Sequence, residues 1–206
     1  MALLFEDKVK GTDKDQFIAK VKTISEWLGY NPNWLMLVMY SETAGSFSAS
    51  IKNPYSSATG LIQFMEATAK ELGTSTASLA KMQRVQQLDF VYKYYKLWQT
   101  RHRTAKDYTD LYLITFYPYA VGKPLNYVFG SEISPARVAQ IAAVNKIIDQ
   151  DKNGQITNDD FRKYVYKKYV EGTVPSDQMS LLTSGAIGIA ALFFLSDWAG
   201  LFINLV

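Results

Sequence analysis

The run Trp34-Leu35-Met36-Leu37-Val38-Met39 constrains the fold of this 206-residue chain more than any other stretch. Asn31-Pro32-Asn33 starts a helix just before it. Apolar residues then occupy nearly every face, and a helix without a polar face has to be surrounded by other elements. The chain must therefore build a core around this segment. The helix ends at Glu42, so a carboxyl group terminates a buried run. Charged, it is costly there unless paired. Burial favours the neutral form and raises the pKa, which is how a glutamic acid becomes a general acid near neutral pH. The competing reading is that Glu42 simply reaches solvent, as most glutamates do.

The remaining periodicity is helical as well. Phe17, Ile18, Val21, Ile24, Trp27 and Leu28 recur at helix spacing and predict a first helix over residues 12–29, ended by Gly29. Residues 43–59, rich in Ser, Ala, Thr, Gly and Asn, read as an ordered loop. Further helices are expected from Gly60 or Met65 to Gly73, over about Leu79–Gln99, and over about Tyr108–Phe116, stopping before Pro118. No stretch alternates with period two, so the expected class is all-α. Hydrophobic residues make up 48% of the chain, enough for one sizeable core. The absence of cysteine excludes disulfides and thiolate chemistry. A net charge of +3 is too small to argue for nucleic acid, and the most basic stretch, Tyr92–Lys106, reads as a solvated helix face running into a loop.

Four regions are expected: a helical domain over 1–135, a helix–loop–helix over 136–170, a linker over 171–178, and an apolar tail over 179–206. In the second, the run from Asp149 to Asp160 has the spacing of a calcium loop. Asp149, Asp151 and Asn153 offer oxygens at positions one, three and five, Gly154 turns the chain at six, and Gln155 offers its carbonyl. Asp160 stands at twelve. The stretch resembles an EF-hand. Asp160 in place of Glu shortens the last ligand, which weakens the preference for calcium and admits magnesium. An Asp/Asn/Gly turn without an ion is the bland alternative. The expected role is structural, with no cofactor in the chemistry.

Around Glu42 three segments resemble the lysozyme-like lytic transglycosylase family in its phage-associated form. Asn31 to Thr43 is similar to the family's catalytic helix, which ends in Glu followed usually by Ser. Ala58-Thr59-Gly60-Leu61-Ile62-Gln63-Phe64-Met65-Glu66-Ala67-Thr68-Ala69 is similar to the Gly-Leu-Met-Gln segment. Phe116-Tyr117-Pro118-Tyr119-Ala120-Val121-Gly122-Lys123-Pro124 resembles the Tyr-containing motif that closes the site. Thr43, Ile62 and Pro118 depart from the pattern, the last in the manner of the phage-type subgroup. The resemblance covers about residues 30–130. It implies a lysozyme-like domain that cleaves between N-acetylmuramic acid and N-acetylglucosamine, with Glu42 as the single acid and base. It further implies that Gln63 hydrogen-bonds substrate or the Glu42 region, that Gly60 lets backbone approach the sugar, and that Tyr117 orients Glu42. Ser41, Thr43, Leu61 and Tyr119 complete the expected substrate site, although local capping explains the hydroxyls equally well.

Leu181–Val206 contains one charged residue, Asp197, and is long enough to cross a membrane. Membrane contact, burial against the subunits of a virion, and packing on the chain's own core all remain open for it. The N-terminal Met1-Ala-Leu-Leu-Phe-Glu-Asp carries acids where a cleavable secretion signal carries bases. The expected location is a phage virion or the bacterial envelope, with peptidoglycan as partner. A non-catalytic particle protein and a hydrolytic lysozyme are the rival functions.

Overall fold

The computed structural model describes residues 2–101 and 103–183. It is helical, and among the described residues the extended contacts are isolated bridges, Lys52 with Thr59, Thr59 with Phe64 and Val128 with Thr157. Helix α1 (Lys14–Leu28) lies between α2 (Pro32–Glu42) and α5 (Arg84–Arg101), and α2 in turn lies between α1 and α6 (Tyr108–Phe116). The short helices α3 (Glu66–Glu71) and α4 (Thr76–Leu79) precede α5, and α7 (Pro135–Val144) and α8 (Asn158–Val165) follow α6.

The central place of α2 follows from its composition. Leu35, Met36, Leu37, Val38 and Met39 are each 0% exposed, and each fully buried side chain of this size contributes about 1.5–3 kcal/mol. Asn31 caps the helix by accepting from the Asn33 amide, and Pro32 supplies a preset first turn. Helix α6 is equally apolar, with Leu111, Leu113 and Ile114 buried, so α2 and α6 form the dry centre. The N-terminus also belongs to this core. Leu4 donates its amide to Asn33, and the Phe5 ring stacks on Tyr40 with centroids 3.9 Å apart.

Two expected helices have different bounds. Gly60 and Gln63 take positive φ, 82° and 53°, so Gly60–Gln63 forms turns and α3 begins only at Glu66. The helix expected over about Leu79–Gln99 divides. Ser75 caps α4, a turn follows, and α5 starts at Arg84 after the Gln83 amide is taken by the Gln86 side chain.

After α8 the chain winds into a π-helical turn, Tyr166–Val170. Phe161 packs against Tyr112 and Phe116 of α6, with centroids 5.7 and 4.9 Å apart. Arg162 donates to Asp107 and Asp110 at the start of α6. The segment expected as a linker, 171–178, holds the buried Val174. Just beyond it, α9 (Ser180–Thr183) docks on the start of α2. Asn31 Nδ2 donates to the Leu181 carbonyl at 2.7 Å, and Trp34 Nε1 to that of Leu182 at 3.0 Å. The first turn of the expected tail is thus seated on the helical domain. The tail beyond it, 184–206, lies outside the described residues; among those described, no helix is long and apolar enough to cross a membrane.

Candidate functional site

Glu42 is the last residue of α2 and is 5% exposed. Burial pushes its carboxyl up to about 8 from an ordinary 4.5, and the Tyr112 hydroxyl, its hydrogen-bonding neighbour, acts in the opposite direction. A charged Glu42 would be felt by Tyr94 and Tyr95 of α5, Tyr112 of α6 and Tyr169 of the π turn. These neighbours are phenols, with no second carboxylate among them. The Tyr94 hydroxyl is committed to the Ile114 carbonyl at 2.7 Å. Tyr95 Oη is buried without a hydrogen-bonding partner. Tyr112 is therefore the donor available to Glu42.

The chain leaves α2 through a tight, self-capped turn. Ser41 Oγ donates to the Leu37 carbonyl at 2.8 Å, and Thr43 Oγ1 to that of Met39 at 2.6 Å while accepting from the Phe47 amide at 2.9 Å. The hydroxyls of Ser41 and Thr43 thus serve the backbone beside Glu42, as side chains of this kind commonly do.

The Gly60 segment is organised by a residue that its own sequence does not reveal. A Cβ at Gly60 would meet Gln87 Oε1 at 2.3 Å. That oxygen accepts from the Leu61 amide at 2.7 Å, and Gln87 Nε2 donates to the carbonyls of Ala49 and Leu79, both at 2.9 Å. Gly60 is therefore glycine because the Gln87 amide fills the space a side chain would take. Leu61 is fully buried. Gln63 is buried and donates to the Gly60 carbonyl at 3.0 Å, so its amide braces its own turn.

Tyr117 points to a different partner from the one expected. Its hydroxyl donates to Glu132 and accepts from the Gly130 amide at 2.9 Å, and its ring stacks on Phe129 at 4.7 Å. Tyr127 also donates to Glu132. Partial burial works to raise the Glu132 carboxyl, but these two phenols win and hold it below the ordinary value. Tyr119, 53% exposed, lies beside Tyr117 with centroids 6.1 Å apart. Tyr112, which lies outside the expected motif, is a hydrogen-bonding neighbour of Glu42.

The acidic loop joins α7 to α8. Carboxylate oxygens of Asp149, Asp151 and Asp160 lie within 4.8 Å of one another. Asp149 accepts from the amides of Asn153 (3.1 Å) and Gly154 (2.9 Å), and Asn153 Oδ1 accepts from Gln155 (2.9 Å). Asp160 has a second task. It forms a capping box with Thr157 at the start of α8 and accepts from the Gln150 amide at 3.2 Å. Gln155, expected to offer its carbonyl, is exposed. The Ile156 carbonyl accepts from Phe129 at 2.8 Å, tying the loop to the segment that carries Tyr127 and Glu132. All-oxygen donors at this spacing suit a hard divalent cation.

An open cavity of about 660 Å³ lies between the loop after Glu42 and the starts of α1 and α5. Asp13, Ser46, Ser48, Gln83 and Arg84 line it, and Glu42 does not. The described geometry thus offers one buried carboxyl with Tyr112 beside it, one tyrosine-held carboxylate at Glu132, and one cluster of carboxylate oxygens. Tyr112 and Glu132 escaped the sequence reading. Tyr112 sits inside a helix apolar all round, where a tyrosine reads as core, and Glu132 belongs to no motif. Comparison with protein-family models and with curated proteins returned no match for this chain.

Proposed function

We propose that this chain is a peptidoglycan lytic transglycosylase with Glu42 as its single acid and base. The observation that carries the reading is the Glu42 carboxyl itself, at the end of a buried apolar helix, pushed up to about 8 by burial with Tyr112 as a hydrogen-bonding neighbour. At neutral pH it is mainly protonated and ready to donate. It gives its proton to the glycosidic oxygen between N-acetylmuramic acid and N-acetylglucosamine, and the bond to muramic C1 breaks. Now ionised, it takes the proton of the C6 hydroxyl of the same sugar. That oxygen bonds to C1, closing a 1,6-anhydro ring and restoring the neutral acid. One carboxyl serves both steps, whereas hydrolytic glycosidases generally employ two. Three motifs resembling those of the lysozyme-like family support the same reading. For substrate to reach Glu42, the tyrosines around it have to part.

That enclosure also favours a second reading, a non-catalytic particle protein of lysozyme-like fold. Digestion of purified peptidoglycan followed by mass spectrometry separates the possibilities. Anhydro-muramyl products support the transglycosylase, reducing ends indicate a hydrolytic lysozyme, and no product with a folded protein indicates the structural role.

The Asp149–Asp160 loop in this reading is EF-hand-like and holds one calcium or magnesium through Asp149, Asp151, Asn153, Asp160 and the Gln155 carbonyl. The ion fixes α7 and α8 and takes no part in chemistry. The proposed setting is a phage virion or the bacterial envelope, with membrane or virion subunits engaging 179–206.

A further inference from the structure

Residues 46–50, in the loop that follows Glu42, form one wall of the open cavity of about 660 Å³, and the starts of α1 and α5 form the others. The loop is tied down at several points. Thr43 Oγ1 bridges the Met39 carbonyl (2.6 Å) and the Phe47 amide (2.9 Å), and Gln87 Nε2 donates to the Ala49 carbonyl at 2.9 Å. Ala44 and Phe47 take positive φ, 49° and 51°. Residues other than glycine keep such a conformation where their surroundings over-determine it, commonly beside ligand sites. Across the cavity, Arg84 Nε donates to Asp13 at 2.9 Å, and the guanidinium lies over the Phe17 ring at 5.2 Å. The starts of α1 and α5 are thereby clamped together. A ligand entering here meets walls that are already ordered, which lowers what its binding costs.

The lining decides what fits. Asp13 and Arg84 are paired with each other, with both carboxylate oxygens engaged. The Lys10 ammonium donates to the Asp7 carbonyl at 2.6 Å. The groups left over are neutral. The side chains of Thr12, Gln16 and Gln83 are exposed and have no hydrogen-bonding partner among the described residues. The Ser48 and Ser50 hydroxyls lie 3.1 Å apart and share one hydrogen. Phe47, Ala49 and Met82 add apolar surface.

A carboxamide offers a donor and an acceptor side by side. It is therefore complementary to an acetamido group, which carries the same pair. The serine and threonine hydroxyls match those of a sugar, and the apolar lining matches the C–H face of its ring. A peptide would bring free ammonium and carboxylate groups. For these the lining holds no unpaired acid and only Lys10 as a base. We propose that this cavity is an accessory glycan site that binds N-acetylhexosamine units, with Gln16 and Gln83 reading their acetamido groups. The class of ligand rests on the reading of the chain as a peptidoglycan enzyme. Glu42 does not line the cavity, so holding a strand here is separate from cutting one there.

The test titrates a tetramer of β-1,4-linked N-acetylglucosamine into the full chain carrying Glu42→Gln, followed by nitrogen-15 NMR. Amide signals of residues 12–16, 46–50 and 83–84 should shift and saturate. Gln16→Ala combined with Gln83→Ala trims two exposed side chains and should weaken this binding about tenfold. Cellotetraose, which carries hydroxyls in place of the acetamido groups, should also bind about tenfold more weakly than the tetramer. The inference is overturned if the tetramer leaves these amides unmoved, or if the double variant or cellotetraose binds as tightly. A free stem peptide that shifts the same amides, where the tetramer does not, would overturn it in favour of a peptide site. Wall cleavage by the chain with Glu42 intact is read separately. Tetramer binding at these amides in a protein that cleaves nothing would sink the transglycosylase and leave the glycan site standing. Anhydro products with no binding here would do the reverse.

Discussion

Glu42 and the carboxylates of the Asp149–Asp160 loop meet opposite surroundings. Glu42 is 5% exposed, with the Tyr112 hydroxyl as a hydrogen-bonding neighbour among the described residues, and burial pushes it up to about 8. Asp149 is only half-buried and Asp151 is exposed, and backbone amides of the loop point at both. Amides and water solvate a negative charge, and the interior of a helical core does not. The same functional group is therefore desolvated in one place and met by backbone amides in the other. Asp160 stands between the two cases. It is buried, but three donors from Gln150 and Thr157 meet its oxygens.

The strongest way to break this comparison is to remove the proton. Glu42→Gln keeps the shape and cannot donate or accept in catalysis, so wall cleavage should fall by about 100- to 10,000-fold while the helical circular dichroism is retained. Cleavage near the original rate would end the assignment.

The same variant should sharpen the electrostatic half of the comparison. The folded chain holds the Glu42 proton up to about 8, whereas the free side chain releases it near 4.5. The folded state thus binds the extra proton between these values. The stability contributed by the neutral acid is full below about 4.5 and is lost as pH rises toward 8. Glu42→Gln escapes that loss. Its stability relative to the original chain should climb across this window, by on the order of a few kcal/mol at its upper end. Denaturant melts at pH 5 and pH 8 measure it, and a flat difference would show that Glu42 is solvated.

On the other side, calcium at about one hundred times its dissociation constant should stabilise the folded chain by about 2.7 kcal/mol, and chelator should reverse this. Asp149→Asn combined with Asp151→Asn should abolish the response without moving the Glu42 titration. A thermal melt indifferent to calcium, magnesium and chelator removes the ion from the loop.

The smallest effect concerns the joint between the two regions. Arg162→Met leaves Asp110, 3% exposed, without its guanidinium partner, at a cost of about 2 kcal/mol. The burial that already raises the Asp110 carboxyl would then act without the arginine that opposes it. The loss should therefore be greater at pH 7 than at pH 4, and an equal loss at both would mean that the pair contributes through packing alone.

The sequence by itself determined the helical class, the buried path of α2 and the place of Glu42 at its end. These rest on local quantities, namely apolar residues on every face, an Asn-Pro start, and one carboxyl at a fixed position along the chain. It also determined the order of oxygen-bearing side chains from Asp149 to Asp160, since a short loop carries its own spacing. Tertiary structure decided which groups face Glu42. No motif singles out Tyr112, and only the packing of α6 against α2 brings it beside the carboxyl. It likewise decided that Tyr117 belongs to Glu132 and that Gly60 makes room for Gln87. It also seated residues 181 and 182 on Asn31 and Trp34. In each case the partners are far apart along the chain, and a hydrogen bond between distant residues leaves no periodicity in either segment by which it could be read.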